Sequence, residues 1–189
     1  KTHGFIALGW TEVGFSYLYS TGPVGGLADL RKSKVWAIPN EEMLAELFKD
    51  AGVSTIPVTV GDVLTALQTG LIETVYAPPL AAVAMQLHTR IKHRSDLRVA
   101  YTFGGLFVSE ASWNRVPAEF RDKIAAIAGK RTSELTAQVR KSDEEALAVL
   151  AKNGIGTVPV AEADAKELAK ISDAVRARLR GQLFPAEAD

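Results

Sequence analysis

Few of the residue types that carry covalent chemistry occur here in a catalytic spacing. The chain has no cysteine, which removes thiolate nucleophiles, disulfides and thiolate metal sites together and suits either redox compartment. There is no Gly-x-Ser-x-Gly elbow. The histidines are His3, His88 and His93. The last two are spaced off a single helix face and lack the carboxylate motif of a zinc helix, so they read as surface or packing residues. Gly22-x-x-Gly25-Gly26 lacks the glycine order and following helix that cradle a phosphate. No catalysis, metal or cofactor is expected, which leaves non-covalent recognition.

Acidic and basic residues balance at 22 each in 189, so no charge field argues for nucleic acid or an anionic membrane. No apolar run approaches the ~20 residues needed to span a bilayer. The length suits one sizeable domain and is marginal for two. The chain starts at Lys1 without a secretory signal, as a mature or trimmed chain would.

The elements that must position any binding residues centre on Val60 to Leu80. Asp62 lies in the first turn of a predicted helix, Val63, Leu64 and Leu67 bury one side, and Gly70 sits at the C-cap. Glu73 to Ala77 predicts a short strand, ended by Pro78-Pro79, with a new helix at or just after Pro79. In an open α/β sheet such a turn, at the carboxyl end of a strand, is where ligands bind.

Upstream, Gly4–Gly9 and Val13–Tyr19 predict two strands, the second with Phe15, Tyr17 and Tyr19 on one face by the two-residue period. A short helix at Leu27–Arg31 and a strand at Lys34–Ile38 follow. Asn40 is the expected N-cap of a helix over Glu41–Asp50, closed by Gly52 before a strand at Thr55–Val58. Downstream come an apolar helix at Leu80–Leu87, Lys92-His93-Arg94 as a solvated loop or a docking point, and an extended stretch at Leu97–Val108. Pro117 opens a helical run to about Asn153, with Phe120, Ile124, Ile127, Leu135, Val139, Leu147 and Leu150 as its apolar residues and Gly129 as a candidate break. Gly156–Val160 predicts a strand, Ala163–Gln182 a terminal helix, and Phe184-Pro185 a frayed tail. Alternating short strands and helices indicate an α/β sheet.

Leu67-Gln68-Thr69-Gly70-Leu71-Ile72-Glu73, followed by an aromatic and a proline, resembles the signature of TRAP-type solute-binding proteins, the C4-dicarboxylate-receptor-like receptors of tripartite ATP-independent periplasmic transporters. Asp29-Leu30-Arg31-Lys32-Ser33-Lys34 resembles the family's lead-in to its second lobe. Phe48 to Val58 resembles its helix, glycine turn and strand, and Ser109 to Pro117 with the helix beyond also fits. The resemblance runs from about Gly4 to Val160 in family order.

It implies a type II periplasmic-binding-protein-like lobe, a mixed sheet flanked by helices, with a long continuous bracing helix. The divisions it implies are a hinge strand at 1–10, lobe II at 11–99, a return strand at 100–116, the interlobe helix at 117–153, and a C-terminal strand and helix at 154–189. The family's first lobe has no counterpart here, so the chain is a fragment or a shortened relative. The implied function is periplasmic capture of a small organic ligand between two lobes and delivery to membrane permease subunits, with a homodimer also considered.

Three usual polar contacts are replaced: Ser16 and Trp36 stand where the family carries arginines, and Ala77 stands before Pro78 in place of an asparagine. The aligned cleft instead offers Trp10, Glu12, Tyr17, Trp36, Asn40, Tyr76 and Phe103. Aromatic walls with a few polar tips suit a bulkier, less charged solute than a simple dicarboxylate. Each has a second reading: lobe packing for Trp10, Trp36 and Tyr76, a surface carboxylate for Glu12, a hinge for Phe103 beside Gly104-Gly105, and packing alone for Trp113. The rival function is a scaffold or interaction protein that keeps the fold without ligand. An enzyme on this fold is not expected. An exposed apolar face where a first lobe would dock separates a receptor lobe from a repurposed scaffold.

Overall fold

The computed structural model describes residues 4–184; His3 and Pro185 lie outside the described residues. Phe5–Ser20 forms one strand, β1, where the apolar runs predict two. Trp10-Thr11-Glu12, between those runs, pairs with Phe103–Gly105 and carries the strand through. Register shifts skip Leu8 and Val13 on β1, and others fall around Tyr17. Bulges of this kind break strict alternation. Tyr19 is fully buried and Tyr17 nearly so, where β1 also pairs with Thr74–Ala77, whereas Phe15 is 40 % exposed.

The chain then turns through α1 (Leu27–Leu30), β2 (Val35–Ala37), α2 (Glu42–Asp50) and β3 (Thr55–Pro57). A 3-10 turn at Val60–Asp62 precedes α3 (Val63–Thr69), β4 (Thr74–Ala77) and α4 (Pro79–Ala84). Gly70 ends α3 with φ 70°, the left-handed cap its position predicts. Asp62 stays outside the helix and accepts a hydrogen bond from Thr59 Oγ1 at 2.6 Å. The long partner of β1 is β5 (His93–Ser109), followed by α5 (Glu110–Asn114), α6 (Ala118–Lys152), β6 (Gly156–Val158) and α7 (Glu162–Leu179). His93 and Arg94, read as loop, open β5: the Arg94 guanidinium lies 4.7 Å from the Tyr17 ring centroid and donates to Thr157 Oγ1. Phe184, read as frayed, bridges back to Arg180.

The six strands lie in the order β3-β2-β4-β1-β5-β6, with β2 parallel to β3 and β4, β1 antiparallel to β4 and β5, and β5 parallel to β6. The result is a mixed sheet flanked by helices. Its core gathers the end of β1 with β2, β4, α1, α2 and α3. Only Tyr17–Ser20 of β1 pairs with β4. The rest of β1 and its partner residues of β5 leave the sheet as a two-stranded ribbon carrying exposed Phe5, Trp10, Phe103, Leu106 and Phe107.

Helix α6 crosses this ribbon in one unbroken run of 35 residues, about 50 Å long, straight through Gly129. Its packing face keeps Leu150 of the predicted apolar residues, with Val139 and Leu147 half-buried, and departs from the rest. Ala128, Thr132, Ala146 and Leu150 are buried, whereas Phe120, Ile127 and Leu135 are 51 %, 53 % and 44 % exposed. Close approach explains the choice: a Cβ at Gly9 would collide with the Thr132 side chain, and one at Gly14 with the Asp143 carboxylate. Only small or short polar side chains fit such a seam. Thr136 Oγ1 accepts from the Glu12 backbone N–H at 3.2 Å and donates to Thr11 Oγ1. Arg140 grips the Glu12 carboxylate with both Nε and Nη2, and Asp143 accepts from the Leu80 backbone N–H at 3.0 Å. On the other side, Arg178 of α7 forks between Asp50 and Glu46 of α2 at 2.7 and 2.8 Å.

Gly14 adopts φ 111°, where a side chain is strained irrespective of space. Gly14→Ala is therefore expected to destabilise the fold by roughly 1–3 kcal/mol from backbone strain alone, with the Asp143 collision adding to it. Urea denaturation of the full-length protein measures this, and an unchanged midpoint would contradict the seam.

The Arg140 guanidinium, with the Tyr101 hydroxyl behind it, holds the Glu12 carboxyl below its ordinary value of 4.5. A depressed folded-state value stabilises fully above the ordinary one and stops doing so as pH falls through the folded value. Glu12→Gln is expected to melt below the parent at neutral pH and alongside it once pH falls below the depressed folded-state value, where both carry a neutral side chain. A gap between the two melting curves that persists in acid would contradict the pair.

Candidate functional site

The parallel strands β2 and β4 present their carboxyl ends together, as an open sheet does at a ligand cleft. Trp36 of β2 and Tyr76 of β4 stack there with ring centroids 5.1 Å apart and planes 28° from parallel. Both are fixed by hydrogen bonds: Trp36 Nε1 donates to the Val58 carbonyl at 2.8 Å, and the Tyr76 hydroxyl donates to Glu41 Oε2 at 2.7 Å. Burial, and the Glu41 carboxylate beside it, push the Tyr76 hydroxyl far above the ordinary phenol range, so it stays a donor at any working pH.

Around this stacked pair opens a cleft of about 710 Å³. Met43, Leu44 and Leu47 of α2 form one wall, Phe15, Arg98, Tyr101 and Phe103 from β1 and β5 another, and Ser172, Val175 and Arg176 of α7 a third. A smaller cleft of about 430 Å³ shares Phe15, Arg98 and Tyr101 with the first and is lined on its far side by Glu12, Tyr17, Arg140, Asp143 and Glu144. Phe15 and Tyr101 pack ring to ring at 4.7 Å on the partition between the two. Arg98 lies over the Phe15 ring at 4.5 Å and donates Nε to the Tyr17 hydroxyl at 3.3 Å.

The structure therefore groups Trp36, Tyr76 and Phe103 in the large cleft and places Glu12 and Tyr17 in the small one. Trp10 lines neither. It is 57 % exposed on the ribbon and packs against Phe103 at 5.8 Å and edge-on against Phe107 at 5.3 Å. Asn40 is also absent from both linings, and it does not cap α2: it sits in the left-handed region with φ 66° and is exposed. Asparagine reaches the left-handed region more readily than most residues, so the chain reverses there and Glu41 occupies the cap position without a side-chain capping bond. Arg98, Tyr101, Glu41 and Phe15 were not singled out from the sequence as site residues. An arginine flanked by apolar residues in an extended segment marks Arg98 as a candidate, but not its place over Phe15 and beside Tyr17. Among the described residues, no group of three or more His, Asp or Glu side chains could hold a metal, and no helix is long and apolar enough to cross a membrane.

Comparisons with known proteins agree with this geometry. The family model described as "Bacterial extracellular solute-binding protein, family 7" matches residues 1–182. A protein of Verminephrobacter eiseniae named "Solute-binding protein" is 26% identical over 156 residues, covering 82% of this chain and 46% of that one. A TRAP periplasmic solute binding protein from Desulfovibrio desulfuricans with bound sn-glycerol-3-phosphate superposes with a TM-score of 0.88 at 21% identity, covering 96% of this chain and 58% of that one. DctP7, a Bordetella pertussis extracytoplasmic solute receptor binding pyroglutamic acid, gives a TM-score of 0.85 at 22% identity, covering 96% and 60%. The chain thus spans about half the length of the curated relative and about three fifths of these structures. With a match to nearly its whole length, and with a mixed sheet, an unbroken long helix and a cleft at the strand ends, the chain belongs to the bacterial extracellular solute-binding proteins of family 7.

Proposed function

We propose that this chain forms the ligand-grasping lobe of a periplasmic TRAP receptor, which captures a small organic solute against the Trp36–Tyr76 stack and passes it to membrane permease subunits. The observation that carries this reading is the large cleft itself: an aromatic floor held rigid by hydrogen bonds, at the carboxyl ends of two parallel strands. Rigid aromatic surface with few polar tips is what small-molecule sites require. The receptors of similar fold hold acids and phosphates in their structures, among them pyroglutamic acid and sn-glycerol-3-phosphate.

The exposed ribbon supports the same reading over that of a ligand-free scaffold. Phe5, Trp10, Phe103, Leu106 and Phe107 on its strands, with Phe120 and Ile127 on α6, are exposed, and Trp10 joins Phe103 and Phe107 into one apolar surface. Such a surface marks a docking face, and a second lobe seated on it would complete the cleft wall beyond Phe103. The strands β1 and β5, continuous through the divisions expected at residues 10 and 100, would then carry the movement between lobes. Closure draws its free energy from contacts that the ligand makes better in the closed state than in the open one.

A bound solute at 100 times its Kd stabilises the folded state by about 2.7 kcal/mol. Thermal melts of the full-length protein against small organic acids and their uncharged analogues are therefore expected to yield a solute that raises Tm. Phe103→Ala, at a 64 % exposed position on the cleft wall, should weaken that solute on the order of tenfold while leaving the ligand-free Tm in place. Trp36→Ala, at a 3 % exposed position, should instead cost about 3–5 kcal/mol of stability. If no solute raises Tm and native mass spectrometry finds no small adduct, the scaffold reading takes over.

A further inference from the structure

We infer that Arg98 is the anion anchor of this receptor, and that its ligand is a monocarboxylate with a flat or apolar body; this rests on the cleft being the solute site. Three observations carry the inference. The positions where arginines are expected from sequence hold Ser16 and Trp36, and no lysine lines the large cleft. Of the two arginines that do line it, Arg176 is committed to Asp173, whereas Arg98 forms no ion pair with any described residue. Arg98 is nonetheless held in place, by the Phe15 ring beneath its guanidinium and by the Tyr17 hydroxyl on its Nε. That leaves both terminal nitrogens without a protein partner among the described residues, the two donors with which a guanidinium fork grips a carboxylate.

The surroundings then select the ligand. Glu12, Asp143 and Glu144 line the smaller cleft, so an anion reaching Arg98 is repelled on that side and favoured on the other. The large cleft has one carboxylate among its described lining residues, Glu41, whose oxygen already accepts from Tyr76. With one uncommitted cation and a fixed negative charge, the cleft matches one carboxylate and disfavours a second. The remaining lining, Trp36, Tyr76, Tyr101, Phe103 and Met43, offers ring faces and apolar edges for the rest of the molecule. Glu41 has acceptor capacity left for a hydroxyl or amine on that body.

Calorimetric titration of the full-length protein with phenylacetate, phenylacetamide and succinate tests this. The parent is expected to bind phenylacetate more tightly than either of the others. Arg98→Met should weaken phenylacetate by roughly 10- to 100-fold, the range for a hydrogen bond to a charged group, and leave phenylacetamide unchanged. Arg98→Lys, which keeps the charge and loses the fork, should fall between the two and guards against a variant that fails to fold. If phenylacetate binds both variants as tightly as the parent, Arg98 is not the anchor, although the receptor reading survives. Tighter binding of succinate than of phenylacetate overturns the monocarboxylate assignment alone. If these three fail to bind while another solute raises Tm, the ligand class is wrong and the cleft stands. If nothing binds, both readings fall.

Discussion

The close seam between α6 and β1 is the constraint on which the rest of the structure depends. Two glycines of one strand face short side chains of one helix so closely that neither can gain a Cβ without displacing its neighbour. A helix at this distance holds the ribbon on one side along much of its length, and the hydroxyls and charges along the contact fix the register of one element on the other. The ribbon in turn carries Phe15, Arg98, Tyr101 and Phe103 to the cleft. The cleft therefore has a floor set by parallel strand ends and a wall set by a helix that does not itself line it.

Much of the sheet was legible because its signals are local. Gly70 needs a left-handed conformation that glycine reaches without strain, and Pro78-Pro79 can end a strand and begin a helix but not continue either ladder. The short strands β2, β3 and β4 fell where apolar β formers meet turn residues. The packing face of α6 was not legible, for a physical reason. Apolar periodicity reports which side of a helix water disfavours, whereas this seam was chosen for smallness, and Thr132, Thr136 and Asp143 form no apolar pattern. Of the large apolar residues of α6, Leu150 is buried, whereas Phe120, Ile127 and Leu135 stay exposed because the described chain brings nothing to cover them.

The site shows the same division. Trp36 and Tyr76 sit in short strands with clear boundaries, so strand-end logic could bring them together. Asn40 misled because a residue good at capping is also good at left-handed turns, and only the backbone decides between them. Arg98 required knowing that β5 crosses β1 with a shifted register, which brings its side chain over Phe15 and onto Tyr17. Long-range pairing of this kind leaves no mark in either strand taken alone.

The outer strands β3 and β6 are three residues long, and β3 ends at Pro57, which has no N–H to donate. Neither end of the sheet can offer another chain a ladder longer than that, which is how soluble sheets avoid growing into fibres. The ribbon is the opposite case: Phe5–Ser16 of β1 has a ladder partner on one side only, beside the most exposed aromatic residues of the molecule. The edge that another chain could extend is thus the ribbon's, not either end of the sheet's.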